Sequence, residues 1–365
     1  MRSNMKWLYG LFFLMAVTLA AAAATTPSAS ILNDPNEPGS VLVFPLYKVG
    51  TVSNVGTASK VGTVSSPVVI TSLPESEFEI SVVCPNGSVC PDGTDVDIRL
   101  HWVCDDFAPQ CQERDFNLAT TVNGTLRFDP QGNCSPANSS NNFFETCGSI
   151  PPPPCSDGYL IAWVVDETGA AIKFDGLIGD AVLRDESTAV TAYNAIAIQA
   201  GKGLATGAAT DIYHNGHLNF NGVAYKELSN TIIGSVHYDG TDPATGISVE
   251  TELVLLTLDT RSNLPNNPVE VNLQFYNEIE QLNSNNTAFW CTEEVYLQDI
   301  GEFNTFGLKG LVEGEGAKTP ILGTGDKTGP VTLLGLVISH EDSFIREYAY
   351  SLSDNSIPLA TSFAP

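Results

Sequence analysis

The chain of 365 residues is strongly acidic, with 42 Asp and Glu against 16 Lys and Arg and a formal net charge of −26. A field of that sign repels nucleic acids and anionic lipid surfaces, so we expect neither as a partner. The same charge favours solubility, but it does not specify a fold.

The N-terminal residues have the pattern of a secretory signal peptide. Arg2 and Lys6 form a short positive region, an apolar stretch follows, and Ala22 and Ala24 are the small residues of a cleavage site. We therefore predict a signal peptide over 1–24 and secretion to the extracellular space, the cell surface or the periplasm. The apolar stretch is shorter than the roughly 20 residues of a spanning helix, and we expect no membrane span in the mature chain. Cleavage removes both cations and no acid, which takes the net charge from −26 to −28.

A flexible N-terminal segment over 25–39 is predicted next, and three tandem hexapeptides follow at 49–66, VGTVSN, VGTASK and VGTVSS. A six-residue period is found in stacked β-helix coils, but three turns without a large apolar residue cannot bury a core. A duplicated loop or a long hairpin extension is the favoured interpretation. Its exposed backbone would offer an edge for pairing with another subunit.

Short β-branched and aromatic runs, separated by Gly, Pro, Asn and Asp, predict an all-β chain. DVDIRLHW and VEVNLQFY alternate polar and apolar residues, as half-buried strands of an antiparallel sandwich do. TAYNAIAIQA (191–200) is the one candidate for a short helix. The predicted strands are 40–47, 66–74, 78–84, 95–104, 123–130, 158–166, 250–259, 269–278, 293–300 and 330–340.

The length fits two domains, and the Gly, Ala and Thr of QAGKGLATGAAT (199–210) are typical of a flexible connector. We expect a first β-sandwich with disulfide-rich loops over 40–200, a linker over 201–212 and a second β-sandwich over 213–365. The strand order VVITSLP, VDIRLHWV, FNLATTV, YLIAWVVD has a counterpart later in LVLLTLD, VEVNLQFYNE, VYLQDI, LLGLVISH. We therefore predict two Ig-like antiparallel β-sandwich domains from a diverged duplication, although shared constraints of such folds give the same rhythm.

All eight cysteines follow the signal peptide, and an even number in an oxidising compartment predicts disulfides. Seven lie between residues 84 and 155, so Cys291 either bridges back to the first half or one thiol stays free. Cys84 with Cys90 and Cys104 with Cys111 are natural local pairs, but spacing alone does not fix the connectivity. A metal site would need closely spaced CxxC or Cys/His sets, which the sequence lacks. The predicted disulfide residues are Cys84, Cys90, Cys104, Cys111, Cys134, Cys147, Cys155 and Cys291.

No cofactor is the main expectation, and calcium is the one candidate metal. Asp92, Asp95 and Asp97 place three carboxylates around a Gly turn, and the DGTD piece recurs at 239–242. Hard Ca²⁺ takes several oxygens from a flexible loop of this kind and would act here as a staple of the loop. Neither segment has the twelve-residue EF-hand pattern, and Asp-Gly is also an ordinary turn. No other cofactor is expected.

Catalytic signatures are absent from the sequence, which has no G-x-S-x-G elbow and no SxxK motif. HNGH at 214–217 has no carboxylate ligand pattern and is interpreted as a solvated turn. His101 lies in an alternating strand, where a place on the sheet surface is expected. Paired acids serve glycosidases, but in so acidic a chain a solvated charged face is the favoured interpretation. The adjacent pairs are Glu293/Glu294, Asp105/Asp106 and Glu341/Asp342.

Four pieces of the chain resemble a group of exported bacterial β-sandwich proteins that have no assigned function. They are PGSVLVFPLY after the signal, GYLIAWVVDETGAAIKFDGLIGDAVLR in the middle, and LTLDTRSNLPNNPVEVNLQFYNEIE and WCTEEVYLQDI later. The resemblance implies a bacterial origin and export. It supplies no catalytic residue.

Export, the sandwich pattern and the disulfides predict a non-catalytic extracellular structural, adhesive or surface-assembly protein. Its expected partners are further copies of itself or components of a surface or matrix. The alternative is a carbohydrate-binding module or an unrecognised glycoside-active protein, in which aromatic rings stack on sugars. Two or more exposed aromatic residues beside paired acids on one sheet face would favour the alternative. The aromatic candidates are Trp102, Trp163, Phe289 and Trp290.

Overall fold

The computed structural model describes residues 37–50, 76–85, 90, 95–104, 111–136, 149–184, 190–201, 218–237, 240–241, 246, 248–258, 268–276, 282–300, 309–318, 329–341, 346–352, 358–359 and 361–363. Within these ranges the chain is all-β with antiparallel sheets, which confirms the predicted fold class at this level. One helical turn, α1 (Leu297–Ile300), interrupts the strands. No helix in these ranges is long and apolar enough to cross a membrane. The predicted signal peptide, the hexapeptides beyond residue 50 and the strand at 66–74 lie outside them.

The strands of the first half form two five-stranded antiparallel sheets. Sheet A has the order β10-β1-β7-β3-β4, and sheet B has the order β6-β5-β2-β8-β9. The strands are β1 (Val41–Lys48), β2 (Ser76–Val82), β3 (Asp95–Cys104), β4 (Gln112–Thr121), β5 (Thr125–Phe128), β6 (Cys134–Pro136), β7 (Asp157–Val165), β8 (Leu177–Arg184), β9 (Val190–Asn194) and β10 (Ile196–Ile198).

Sheets A and B pack face to face because the alternation of their strands gives each sheet an apolar face. Every second residue of β3 from Val96 to Trp102 lies in the core between them. Trp102 is fully buried, and its ring contacts those of Tyr47, Phe78 and Phe116. Edge and offset ring pairs add about 0.5–1.5 kcal/mol each beyond the burial of area. This aromatic group therefore fixes the centre of the first core.

Sheet A is also covered on its other face. Strands β1 and β7 are buried along nearly their whole length, so they have continuous apolar runs instead of an alternation. The second face of sheet A packs against Phe220, Tyr225 and Leu256 of the second half. This second core connects the two halves, which belong to one compact unit. The predicted linker over 201–212 lies outside the described residues apart from Gly201, and the division into two domains remains a prediction.

The strands of the second half form two larger sheets and two short pairs. Sheet C has the order β13-β19-β16-β17 with β20 paired to β19, and sheet D has the order β14-β15-β21-β22 with β18 paired to β15. The short pairs are β11 with β24 and β12 with β23. The strands are β11 (Leu218–Phe220), β12 (Leu228–Ser229), β13 (Thr231–His237), β14 (Gly240–Thr241), β15 (Ser248–Leu256), β16 (Val269–Tyr276), β17 (Leu282–Phe289), β18 (Thr292–Tyr296), β19 (Lys309–Lys318), β20 (Gly329–Pro330), β21 (Leu334–Glu341), β22 (Arg346–Leu352), β23 (Pro358–Leu359) and β24 (Thr361–Phe363).

Strand β15 is buried on both faces. Leu253 and Leu255 face the third core, which lies between sheets C and D. Glu252 and Val254 point the other way because successive side chains of a strand alternate between faces. Val254 belongs to the first core. The position of β15 therefore brings a glutamate to a buried junction between the two halves.

Residues 191–200, the candidate short helix, form strands β9 and β10 instead. Strand β9 pairs with β8 in sheet B and β10 pairs with β1 in sheet A, so the chain crosses from one sheet to the other at Ala195. Tyr193 and Ala197 face the first core, whereas Ile196 and Ile198 face the second. Burial of alternate residues in two cores overrides the helix propensity of the alanines.

Gly158 in β7 lies where a side chain does not fit. Its φ is 151°, and a Cβ built on it would lie 2.2 Å from the carbonyl oxygen of Val103. We expect Gly158→Ala to lower the free energy of unfolding by at least about 2 kcal/mol, because backbone strain and overpacking add. Chemical denaturation measures the change.

Gly169→Ala is the matched control for this substitution. Gly169 also has a positive φ, 82°, but a Cβ there would have no neighbour within 4 Å. Backbone strain alone predicts a loss of about 1 kcal/mol. Equal losses in the two variants would show that the close contact with Val103 does not add to the destabilisation at position 158.

Candidate functional site

Ionisable side chains from both halves meet where the end of β1 reaches sheet D. Lys48 is the last residue of β1, and the other three members lie on β15, β18 and β21. We call this group the charged cluster, and its members are Lys48, Glu252, Glu294 and His340.

The strand registers of sheet D explain why three of these side chains share one face. Glu252 lies opposite Ile338, and Val254 lies opposite Glu294. Residues opposite each other in an antiparallel sheet point to the same side, as do residues two apart along a strand. Glu252, Glu294 and His340 therefore project together from sheet D toward the first half.

Lys48 holds the cluster together. Its Nζ donates to Glu252 Oε1 at 3.1 Å and lies 3.0 Å from Glu294 Oε2. His340 Nε2 lies 3.2 Å from Glu252 Oε2, so both oxygens of Glu252 have partners. The side chain of Glu252 is 1% exposed, against 32% for Lys48 and 25% for Glu294. Solvent therefore reaches the cluster from the side of Lys48 and Glu294, and Glu252 lies at its buried end.

Glu252 and Lys48 are both charged at neutral pH. Burial raises the pKa of Glu252, but hydrogen bonds with His340 and Glu294 and the charge of Lys48 outweigh it and hold the pKa well below its usual range. Burial lowers the pKa of Lys48, but the charges of Glu252 and Glu294 outweigh that and raise it above its usual value. The partners thus stabilise each other's charged forms.

Glu294 behaves in the opposite way. Burial raises its pKa well above the usual range, and the hydrogen bond and the charge of Glu252 raise it further. Glu294 Oε1 is buried, and no N–H or O–H donor of the described residues reaches it. Ionisation of Glu294 is therefore disfavoured beside the ionised Glu252, because two neighbouring carboxyls resist ionising together.

Two carboxyls with opposite pKa shifts are the arrangement that general acid–base catalysis uses. In this cluster the ionised member, Glu252, is almost fully buried and occupied on both oxygens. A general base must come within hydrogen-bond reach of a substrate proton, which the burial of Glu252 prevents. The contacts instead hold β1 against sheet D, so the arrangement suits a structural connection between the halves.

A disulfide forms a second connection beside the cluster. Cys111, just before β4, is bonded to Cys291, just before β18, across 180 residues of sequence. Cys291 is fully buried in the second core, and Tyr159 Oη donates to the carbonyl of Thr257 nearby at 3.4 Å. Strand β18 therefore carries the covalent connection at its start and Glu294 of the charged cluster within it.

Two further disulfides lie in the first half, and disulfide bonding is as the sequence predicted. Cys84 bonds to Cys90, one of the natural local pairs. Cys104 bonds to Cys155 and not to Cys111, because pairing of β3 with β7 brings residue 155 beside the end of β3. Cys134 is also disulfide-bonded, and Cys147 lies outside the described residues.

Lys173 is a buried cation that sequence reasoning missed. It is fully buried, and its Nζ donates to the carbonyl oxygens of Gly201 at 2.7 Å and Val223 at 2.8 Å. Burial lowers its pKa, and the charge of Asp175 opposes that effect. The carbonyls replace water around the ammonium and connect the segment after β7 to the segments after β10 and β11. A lone Lys within the apolar run AAIKF was its only signal in the sequence.

The predicted calcium residues are only partly described. Asp95 and Asp97 lie on β3, are exposed and share a face, whereas Asp92 lies outside the described residues. Within the described part of the chain, no three His, Cys, Asp or Glu side chains are grouped to hold a metal ion. In the second DGTD piece, Asp239 and Asp242 are likewise outside. The calcium site remains a prediction.

His101 is buried, whereas the alternation of β3 had predicted a place on the sheet surface. It is 3% exposed, its ring packs on Trp163 at 4.8 Å, and its Nε2 accepts from Arg99 Nε at 3.2 Å. The reason is that the second half covers the outer face of sheet A. His214 and His217 lie outside the described residues.

The aromatic candidates for sugar stacking are mostly in the cores. Trp102, Trp163 and Phe289 are buried, and Trp290 is partly buried against the second core. Among the adjacent acidic pairs, Glu294 has its carboxyl partner in Glu252 on the neighbouring strand. The carboxyl pair that forms, Glu252 with Glu294, is therefore not one of the pairs that are adjacent in the sequence. Asp105, Asp106 and Asp342 lie outside the described residues.

No protein-family model matches the chain, and no curated protein has significant sequence similarity to it. What the chain does is therefore inferred from its own residues and contacts.

Proposed function

We propose that the chain is a non-catalytic extracellular structural or adhesive protein that takes part in surface or matrix assembly. The observation that carries the proposal is the double connection of its halves, by the Cys111–Cys291 disulfide and by the charged cluster around Lys48. Buried ionic and covalent connections resist separation of the halves. Such resistance suits a protein that keeps its shape outside the cell.

An exported location is part of the same proposal. Three disulfides indicate an oxidising environment outside the cytoplasm. The signal pattern over 1–24 is the support for secretion itself. The resemblance to exported bacterial β-sandwich proteins supports a bacterial origin in the same way.

We also propose that two Ig-like sandwiches arose by duplication. Strand β3 is flanked by β4 and β7 in sheet A, and β15 is flanked by β18 and β21 in sheet D. In each half this central sheet faces a second sheet across a core. The shared arrangement supports the proposal. In this arrangement β3 corresponds to β15, whereas the strand order in the sequence paired β3 with β16.

Assembly and adhesion are tested on the oxidised mature protein. Sedimentation velocity and electron microscopy are expected to show oligomers or fibres, or binding assays are expected to show saturable attachment to cells or matrix. A matched sample with reduced disulfides shows whether the covalent connections are needed. A protein that stays strictly monomeric and binds neither cells nor matrix would contradict the proposed function.

Sugar recognition is the rival function. It requires aromatic side chains exposed on one sheet face, and three of the four candidates are buried. A glycan array incubated with the mature protein distinguishes the two functions. Specific, saturable glycan binding would favour the rival over the structural role.

A further inference from the structure

Strand β17 is an edge strand of unusual composition. It lies at the end of sheet C and pairs only with β16 among the described strands, in an unbroken register of eight residue pairs. Its sequence, LNSNNTAF, contains no charged residue. Natural edge strands are commonly protected from pairing by charges, prolines or bulges, and β17 has none of these.

The exposed surface of β17 includes both of its faces. Ser284, Asn286 and Ala288 on one face are exposed, and so is Asn285 on the other. Leu282 at its start is 56% exposed, the largest value among the large hydrophobic residues whose burial the structure describes. Phe289 at the end of β17 is buried in the third core, so the part of β17 open to another chain is its outer edge, which no described strand covers.

Strand β4, at the end of sheet A, shows the contrast. It carries Glu113, Arg114 and Asp115 in consecutive positions. An approaching strand would have to bury or displace these charges. Strand β4 therefore carries charges that oppose pairing with another chain, whereas β17 carries none.

The charge of the chain favours a second copy of itself as the occupant. With a net charge of −26, most of the surface repels another copy, and an uncharged edge offers contact without that repulsion. A basic partner would be attracted to the acidic surfaces and would have no counter-charge on β17. We propose that β17 pairs antiparallel with β17 of a second copy, which rests on the proposed assembly function and locates its interface.

A twofold axis at Asn286 gives a register with polar side chains facing one another. Asn272 Nδ2 already donates to Asn286 Oδ1 at 3.0 Å across the β16–β17 pair. With Asn286 facing its own copy, this amide ladder continues across the interface into the second molecule. Asn285 then faces Thr287 on the other side of the sheet. A closed dimer results, because a twofold interface uses the same strand on both copies.

The test introduces charge on β17 in the oxidised full chain. Asn286→Glu and Asn286→Lys each place like charges opposite one another at the axis, and each is expected to weaken self-association up to about fivefold. The triple variant Ser284→Glu, Asn286→Glu, Ala288→Glu has three facing pairs and is expected to weaken it up to about 100-fold. Sedimentation equilibrium measures the constant, and circular dichroism checks that each variant is folded.

Asn117→Glu and Asn117→Lys, at an exposed position of β4, are the matched controls and should leave association unchanged. Association that persists in the triple variant places the interface elsewhere and leaves the assembly function standing. Weakening by Glu with strengthening by Lys would indicate a general charge effect and overturn the pairing. A monomeric wild type that still binds matrix overturns the pairing alone, whereas one that binds nothing overturns the function as well.

Discussion

Replacing Cys111 and Cys291 together by serine is expected to lower the free energy of unfolding by about 5 kcal/mol, the largest loss among the three disulfides whose two cysteines the structure describes. A disulfide restricts the unfolded chain, and the effect grows with the length of the closed loop. The loop here closes across 180 residues. It is also the only one of the three described disulfides that connects the two halves. Urea denaturation of the oxidised protein measures the loss.

The other two described disulfides provide matched controls with shorter loops. Their sequence separations are 51 for Cys104–Cys155 and 6 for Cys84–Cys90. The same loop-entropy relation predicts losses of about 4 and about 2 kcal/mol for the paired serine variants. The order of the three losses is the sharper prediction, since it does not depend on the absolute scale. A loss for Cys111–Cys291 no greater than that for Cys84–Cys90 would contradict it.

Removal of the long disulfide should also change the shape of the transition. The second core and the charged cluster would then be the main connections between the halves. We expect two separable unfolding steps in the variant, because halves that are less strongly coupled lose cooperativity. Fluorescence of the tryptophans and far-ultraviolet circular dichroism would then no longer coincide. Coincident curves would mean that the non-covalent contacts alone keep the halves cooperative.

The strands were predictable because their signal is local. Alternation in DVDIRLHWVC predicted β3 over the same residues, Asp95–Cys104, and the apolar run GYLIAWVVD predicted β7. The Cys84–Cys90 pair needs only six residues of chain. Properties of this kind are contained in a short window of sequence, so a single sequence is enough to find them.

The charged cluster was not predictable, because its members meet only through the topology. Lys48 and Glu252 are 204 residues apart, and the neighbours of Glu252 do not indicate that both faces of β15 are covered. His101 was misplaced for the same reason, since a segment of the second half covers its face. One weak signal existed, which is the position of Glu252 directly before the apolar run LVLL. A buried glutamate requires a partner, but the sequence does not name it.

Lys48→Met is expected to lower the free energy of unfolding by about 3 kcal/mol at pH 7. Methionine keeps much of the volume of the lysine but removes its charge, which leaves Glu252 ionised at a position that is 1% exposed. Removing one partner of a buried ion pair costs about 3–5 kcal/mol, and the partial exposure of Lys48 places the loss at the lower end. Arg127→Met is the control, because the Arg127–Glu79 pair is on the surface and its loss should cost at most about 1 kcal/mol.

A double variant separates the loss of the Lys48–Glu252 attraction from the cost of leaving Glu252 buried as an unpaired charge. Glu252→Gln removes the carboxylate charge, so adding it to Lys48→Met takes away the uncompensated ion. We expect the double variant to be more stable than Lys48→Met alone, because a neutral amide is less costly to bury than an unpaired carboxylate. A double-mutant cycle gives the coupling between the two positions. Strictly additive losses would mean that Lys48 does not stabilise the Glu252 charge.

The pH dependence of the Lys48→Met effect follows from the pKa shifts. The pKa of Glu252 is depressed in the folded state, so its contribution is present above the unfolded value of about 4.3 and is lost as the pH falls further. The raised pKa of Glu294 acts in the opposite sense, with a contribution that is present at low pH and lost as the pH rises through the folded value. Because Lys48 contacts the Glu252 carboxylate directly, the gap between wild type and Lys48→Met should narrow from pH 7 to pH 3. A gap that stays constant or widens in acid would mean that the lysine is held by packing of its stem and not by the charge of Glu252.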